Sequence, residues 1–144
     1  MDHEQMSIQI HWTAINGKED PLWSSSGVLY VYIAPGSEIL YIGKADGAAS
    51  TVRSRWNADD KAGFWHDLKW ERGINRHSVV VGGVDVGPGR RLSRQLLADL
   101  ESLLIKREQP WGHIQGRKER NHSRPGLEVR CNGSWPGRHR YMDG

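Results

Sequence analysis

The sequence predicts a small α/β sandwich, with a central mixed sheet of about three strands, flanking helices and terminal segments packed onto the sheet. Short runs dense in β-branched and aromatic residues alternate with segments that read as helices. A leucine series in the second half of the chain has the period of an amphipathic helix. With 144 residues the chain can build one core and is too short for two.

The strand signals begin near the N-terminus. Residues 7–15 alternate strictly, with Ile8, Ile10 and Trp12 on one side, and predict a half-buried strand. After a connecting loop, the turn residues PGSE separate two apolar runs, VLYVYIA and EILYIG, which predicts an antiparallel hairpin. A third strand is predicted in HSVVVGGVDV, and LEVRC has the composition of a final one.

Two short helices are predicted between the hairpin and the third strand. Ser50 or Thr51 can cap a helix that opens with TVRSRWNADD. The run GFWHDLKWERG predicts a second helix, which Gly73 would end. The residues of this helix expected to reach the core are Trp65, Leu68 and Trp70.

The longest regular signal predicts a helix from Arg91 to Glu108, before Pro110. Its apolar stripe consists of leucines at helical spacing, namely Leu92, Leu96, Leu97, Leu100, Leu103 and Leu104. Glu101 lies at the border of this stripe, where a charge by itself would only mark the polar rim of the helix.

The charge of the chain is unevenly distributed. Lys and Arg total 20 against 17 Asp and Glu, a formal net charge of +3. Between Arg117 and Arg140, however, there are seven basic residues and two acidic ones. This segment predicts a surface that binds a polyanion, although a solvated basic face is the alternative. The first candidates for phosphate contacts in it are Arg117, Lys118 and Arg120.

The cellular setting is predicted from what the sequence lacks. Cys131 is its one cysteine, which excludes an intrachain disulfide and any zinc site that needs paired thiolates. No apolar run approaches the roughly 20 residues of a membrane span, and no secretory signal pattern precedes residue 7. We expect a cytoplasmic protein, in a reducing compartment, without a membrane partner.

The hairpin carries the motif that bears on function. VLY at Val28–Tyr30 and YIG at Tyr41–Gly43 are separated so that ten residues lie between the tyrosines, and KA follows. This pattern resembles the signature of the GIY-YIG nuclease family, with Leu29 in the isoleucine place. An arginine in VRSRW, a glutamate in ESLLI and a later proline follow in the family's order. The resemblance covers residues 27–113 and implies one nuclease domain over 1–144, with extensions at 1–26 and 114–144.

The resemblance implies a Mg²⁺-dependent endonuclease, with Mn²⁺ able to substitute, that hydrolyses DNA phosphodiester bonds. Glu101 would be the metal ligand, since Mg²⁺ needs one or two carboxylates, and the Arg55 guanidinium would bind phosphate oxygens. The family favours Tyr30 as the base and Tyr41 as its partner in positioning water or phosphate, which the residues alone do not rank. Lys44 and Arg53 are predicted to contact nucleic acid, and Arg53 is the alternative to Arg55.

One departure from the family pattern bears on activity. His113 stands where the family commonly has an asparagine, and it would either hydrogen-bond a phosphate or mark an impaired site. A catalytically impaired nucleic-acid-binding module is therefore the alternative function, and RNA remains an alternative substrate. Two tryptophans beside the predicted site, Trp56 and Trp111, are candidates for stacking on bases.

Overall fold

The computed structural model describes residues 6–47, 50–58, 61–74, 78–114 and 126–143, with the backbone alone at 113 and 114. These residues form six strands, four α-helices and a 3₁₀ turn at Pro21–Ser24. The strands are β1 (Met6–Ala14), β2 (Val28–Ile33), β3 (Ile39–Ala45), β4 (Ser78–Asp85), β5 (Leu127–Gly133) and β6 (Tyr141–Asp143). The helices are α1 (Val52–Trp56), α2 (Ala62–Arg72), α3 (Arg94–Glu108) and α4 (Trp111–Ile114).

All six strands belong to one sheet, in the order β3-β2-β4-β1-β5-β6. β1 pairs in parallel with β5, and the other neighbours pair antiparallel. The predicted α/β class and mixed sheet are confirmed, whereas a central sheet of three strands is wrong. The terminal segments are not additions to the sheet but part of it, because β1 hydrogen-bonds on both edges, to β4 and to β5. Alternation predicts a strand but does not reveal its partners.

Side chains alternate across the sheet and form two cores. One face packs against α3, whose buried residues are Leu96, Leu97, Leu100, Leu103, Leu104 and Ile105. This core includes Ile8, Ile10 and Trp12 of β1, as their alternation predicts. The other face packs against the shorter helices through Val52 and Leu68, and it is rich in aromatic rings.

The helix ends largely follow the predicted caps. The Thr51 side chain caps α1, and Gly73 ends α2 in the left-handed conformation. α3 begins later than predicted, because the Ser93 hydroxyl accepts the backbone N–H of Leu96 and caps it. Trp70 is not in the core and is 69% exposed. The longest helix, α3, has 15 residues, and within the described ranges none has the length and apolarity to cross a membrane.

Strand β3 lies at the edge of the sheet, where α3 and α4 both contact it. Gly112 of α4 comes close to this strand, since a Cβ atom there would lie 2.7 Å from the carbonyl oxygen of Leu40. The same atom would lie 2.7 Å from Cε1 of Phe64 on α2. The edge strand is therefore enclosed by helices at its start, and its second half, which carries Tyr41 and Gly43, borders an open cavity.

Candidate active site

The hairpin places Tyr30 directly opposite Gly43. The phenol ring lies over the glycine, and a Cβ atom at Gly43 would clash with the Cζ, Cε1 and Oη atoms of Tyr30, because it would be closer to them than van der Waals contact allows. A residue with a side chain at this position would push the ring aside. The glycine of the YIG run is therefore part of what positions the Tyr30 hydroxyl.

Three tyrosines stack on the same face of the hairpin. Tyr32 pairs directly with Tyr41, and their ring centroids are 5.5 Å apart. Tyr30 lies 5.1 Å from Tyr32 and 6.3 Å from Tyr41, with interplanar angles of 30° and 17°. Tyr32 is fully buried, and its hydroxyl has no hydrogen-bond partner among the described residues. The pKa of Tyr32 is raised by burial and then by its electrostatic interaction with Tyr30, so Tyr32 is a poor candidate for a proton acceptor.

A buried lysine contacts this stack. Lys61, just before α2, is 2% exposed. Its ammonium group donates to the Tyr30 hydroxyl at 3.2 Å and to the Arg55 carbonyl oxygen at 3.2 Å. The Nζ atom also lies 4.8 Å from the ring centroid of Tyr41. Burying an ammonium group is costly without such partners, which indicates that these contacts compensate its desolvation.

Helix α1 directs its two arginines to different surroundings. Arg53 donates to the carbonyl oxygen of Lys18 at 2.8 Å, and its guanidinium lies 5.4 Å from the Trp23 ring centroid. Arg55 is half-buried and lines the cavity that also contains the Tyr30 hydroxyl. Of the two, Arg55 is therefore the one that joins the hairpin tyrosines.

Two carboxylates flank Lys44, which also lines the cavity. Its Nζ atom lies 3.9 Å from Oε1 of Glu101 and 4.0 Å from Oδ2 of Asp46. The Nε atom of Arg94 lies 3.7 Å from the same Asp46 oxygen. These side chains remain partly exposed at the cavity wall, so they are accessible to a bound ligand.

The predicted tyrosines, arginine and glutamate line one open cavity of about 340 Å³. They come from the hairpin, α1 and α3, segments that are far apart in the sequence. The polar and charged residues that line the cavity include Tyr30, Tyr41, Lys44, Asp46, Arg55 and Glu101.

No family model matches the chain, and no curated protein or solved structure matches it significantly. The assignment of this cavity therefore depends on its own chemistry and on the motif order in the sequence. The chemistry and the motif order each point to particular side chains, so substitution of those side chains tests the assignment directly.

Burial and charge act against each other on the titratable groups of the cavity. Burial raises the pKa of the Tyr30 phenol, while the Arg55 guanidinium lowers it by hydrogen bonding and by charge. Burial likewise raises the pKa of the Glu101 carboxyl, and the Lys44 ammonium is the largest influence that lowers it. Both groups therefore sit in surroundings where an added cation would favour their charged forms.

Several predicted residues cannot be placed. The side chain of His113 and the whole of Arg117, Lys118 and Arg120 lie outside the described residues. Among the residues that are described, no three His, Cys, Asp or Glu side chains are grouped to hold a metal ion.

Sequence reasoning missed three participants. Asp46 directly follows the YIGKA run and could have been considered as a second carboxylate on that ground. Tyr32 has the same residue type and alternation as Tyr30, so its place in the stack follows from the hairpin register. Lys61 has no signal, because nothing around it in the sequence indicates that a lysine before a helix would be buried.

Proposed function

We propose that the protein is an endonuclease that hydrolyses DNA phosphodiester bonds with Mg²⁺, as its resemblance to the GIY-YIG nucleases implies. The observation that carries the proposal is the convergence of Tyr30, Arg55 and Glu101 on one open cavity. These are the residue types that phosphodiester hydrolysis requires, namely a proton acceptor, a fixed cation for the phosphate and a hard oxygen ligand.

The cationic side of the cavity suits a phosphate. Arg55 presents a guanidinium that stays charged and can donate two hydrogen bonds to phosphate oxygens. Lys44 adds an ammonium group on the wall that carries Glu101, at 3.9 Å from its carboxylate. A phosphate bound in the cavity would be contacted by both Arg55 and Lys44. Two positive charges favour the transition state, because it carries more negative charge on the phosphate oxygens than the ground state does.

Tyr30 is the group best placed to receive the proton of the attacking water. As phenolate, its oxygen would take that proton while the water oxygen forms a bond to phosphorus and the bond to the leaving oxygen breaks. Burial raises the pKa of Tyr30, and the Arg55 guanidinium and the hydrogen bond from Lys61 act against this effect, so a divalent cation bound at Glu101 would add to the charges that favour the phenolate. Tyr41, which lines the same cavity, would position the water or the phosphate.

The residues present fit a hard divalent cation. The Glu101 carboxyl borders an open cavity, its pKa is raised by burial, and Asp46 lies on the other side of Lys44. Glu101 would hold Mg²⁺, which keeps most of its ligands as water and supplies positive charge to the phosphate oxygens.

The test is a nicking assay on supercoiled plasmid. Wild-type protein should cut with Mg²⁺ and not with a chelator, and Glu101→Ala should not cut in either condition. Glu71→Ala, which removes an exposed glutamate of α2, is the matched control and should cut as the wild type does. Equal activity of Glu101→Ala and wild type would remove Glu101 from the site.

The same experiment separates the alternatives. Wild-type protein that binds plasmid and leaves it intact at every Mg²⁺ and Mn²⁺ concentration would favour the catalytically impaired binding module. In that case His113→Asn, which restores the residue common in the family, is the variant to assay next. Cleavage of RNA in preference to DNA would reassign the substrate and keep the reaction type.

A further inference from the structure

A second and larger cavity lies at the other end of β3. It has a volume of about 740 Å³ and is bounded by the hairpin turn, the ends of α2 and α3, and the loop before β6. Ile39, the first residue of β3, lines it, whereas Lys44, near the end of the strand, lines the first cavity. From Ile39 to Lys44 the strand advances five residues of about 3.4 Å each, so these two lining residues are about 17 Å apart.

The side chains of this cavity carry an excess of positive charge. Arg72, Arg107 and Arg138 face two carboxylates, Glu38 and Glu108. Both carboxylates are already engaged. Glu38 accepts a hydrogen bond from Arg72 at 2.6 Å. Glu108 accepts the backbone N–H groups of residues 138 and 139 at 3.1 and 3.0 Å, which holds the loop against α3.

Arg138 is the cation of this cavity that is best placed to meet a ligand. Its backbone is fixed by Glu108, while its side chain is exposed. Within the described ranges the guanidinium has no ion pair with a carboxylate, unlike Arg72 and Arg107, which pair with Glu38 and Asp143. A guanidinium on a fixed loop can donate paired hydrogen bonds to phosphate oxygens at a low entropic cost.

Backbone conformation sets this cavity apart as well. Ser37 and Gln109 are the two non-glycine residues with positive φ among the described residues, at 72° and 49°, and both line it. For Gln109 the conformation ends helix α3. Ser37 follows Gly36 in the hairpin turn, where glycine would adopt this φ more easily. Residues held in such conformations are concentrated at ligand sites.

A row of aromatic rings connects the two cavities. Tyr41, which lines the first cavity, lies 5.3 Å from Phe64, and Phe64 lies 5.8 Å from Trp111, which lines the second. The Arg72 guanidinium lies 5.5 Å from the Trp111 ring centroid. Residues of α3 and β3 line both cavities, Glu101 and Lys44 in the first and Arg107 and Ile39 in the second.

We propose that this second cavity binds a backbone phosphate of the DNA whose scissile phosphate occupies the first. The phosphates of one strand wind around the helix axis, so a straight-line separation of about 17 Å spans fewer than the roughly five steps that the 3.4 Å axial rise alone would give. Arg138 would make the contact, and Trp111 would border the sugar or base beside it. This inference rests on the proposed function, because it takes DNA as the substrate. It implies that the protein contacts the duplex at two places, one towards each end of β3.

The test measures binding apart from cutting. Fluorescence anisotropy of a duplex about two helical turns long, with chelator present, should show that Arg138→Ala binds about 10-fold more weakly than wild type. The slope of log affinity against log salt should flatten by about 0.9, the value of one lost phosphate contact. Arg138→Lys should retain most of the slope. Arg90→Ala removes the same charge from an exposed position before α3, outside both cavities and outside the basic segment 117–140, and should match wild type.

Cleavage provides the second measurement. Arg138→Ala should raise KM for the duplex about 10-fold and leave kcat unchanged, because a remote contact is made equally in the ground and transition states. A single methylphosphonate is moved through the positions within about five steps of the cleaved bond, and at one of them it should weaken binding of wild-type protein to the level of Arg138→Ala. The two changes combined should be no worse than either alone, as expected for a single shared contact.

The outcomes distinguish this inference from the proposed function. If the wild type cuts DNA and Arg138→Ala has the affinity and salt slope of Arg90→Ala, the second phosphate site is wrong and the nuclease proposal stands. If the wild type binds without cutting and Arg138→Ala weakens binding as expected, the site stands without the activity. If the folded wild type binds no duplex, both are overturned.

Discussion

The ring of Tyr30 rests on Gly43, its direct partner across the β2–β3 hairpin. The VLY and YIG parts of the motif are therefore coupled, because the Tyr30 ring occupies the space that a side chain at Gly43 would fill. The hydroxyl at the end of this ring meets Lys61 at 3.2 Å and lines the candidate active site.

Gly43→Ala should displace the Tyr30 ring. A methyl group in a filled site typically costs about 1–3 kcal/mol, so we expect a lower free energy of unfolding in denaturant titrations. Cleavage should fall at least about 100-fold, because small displacements of a reacting group have effects of this size. Gly63→Ala is the control, since a Cβ atom there has no neighbour within 4 Å and alanine favours a helix. Full activity in Gly43→Ala would contradict the proposed role of the contact.

Two tyrosines of the stack should respond differently to loss of the hydroxyl. Tyr30→Phe removes the proposed base and should lower the cleavage rate at least about 100-fold. Tyr32→Phe removes a buried hydroxyl that has no hydrogen-bond partner in the described residues, so it should keep activity and raise stability by up to about 1 kcal/mol. Nicking rates and thermal unfolding of the two variants check both expectations. Similar losses of activity in both would mean that the stack acts as a unit.

The two arginines of α1 form another matched pair. Arg55→Ala should lower the cleavage rate at least about 100-fold, the usual scale for an electrostatic stabiliser of the transition state. Arg53→Ala removes contacts to Lys18 and Trp23, outside the cavity, and should leave kcat unchanged. If Arg53→Ala loses cleavage activity and Arg55→Ala keeps it, the phosphate contact is made by Arg53, on the other side of the helix.

Lys61→Met tests the buried ammonium group. Methionine fills a similar volume without the charge, so the protein should remain folded while the Tyr30 hydroxyl loses its donor. We expect kcat to fall about 100-fold with little change in KM, since Lys61 acts on Tyr30 and not on the DNA. Lys69→Met changes an exposed lysine of the adjoining helix and should have no effect on kcat. A change confined to KM would place Lys61 among the DNA contacts.

Glu101→Gln should separate activity from stability. Burial raises the pKa of this carboxyl above its ordinary value of 4.5, so the folded chain binds the proton more tightly than the unfolded chain. Wild-type stability attributable to this group is therefore present at low pH and lost as pH rises from 4.5 through the raised pKa. At pH 7 the glutamine variant should be more stable than wild type and inactive in cleavage. Denaturant unfolding at several pH values measures the difference, and greater wild-type stability at pH 7 would contradict it.

Local patterns in the sequence predicted most elements of the fold. Alternation marked β1, turn residues marked the hairpin, and the leucine series marked α3, because each depends on neighbours within a few residues. The size and order of the sheet were beyond such reasoning. β1 and β5 pair across almost the whole chain, and no short-range pattern specifies a parallel partner. Trp70 illustrates the same limit, since its exposure depends on packing between elements.

The cavity shows a similar division. Tyr30, Arg55 and Glu101 could be selected from motif order, and the structure brings them to one cavity. Residue type alone does not select Lys61 or Asp46, since most lysines and aspartates are solvated, and only Asp46 has a further signal in its place after the YIGKA run. The positions of Lys61 and Asp46 follow from where α2 begins and where β3 ends, and both depend on tertiary packing.

The pairing of β1 with β5 also bears on how the protein is made. Ser7 of β1 donates a hydrogen bond to Glu128 of β5 at a sequence separation of 121 residues. A ribosome adding roughly 5–20 residues per second would extrude β1 roughly 6–24 s before its partner. During this time one edge of β1 has no partner, even after β4 and α3 have been made, so the nascent chain presents an unpaired strand edge that could pair with another chain. The long-range pairing of β1 with β5 thus postpones completion of the sheet to the end of synthesis.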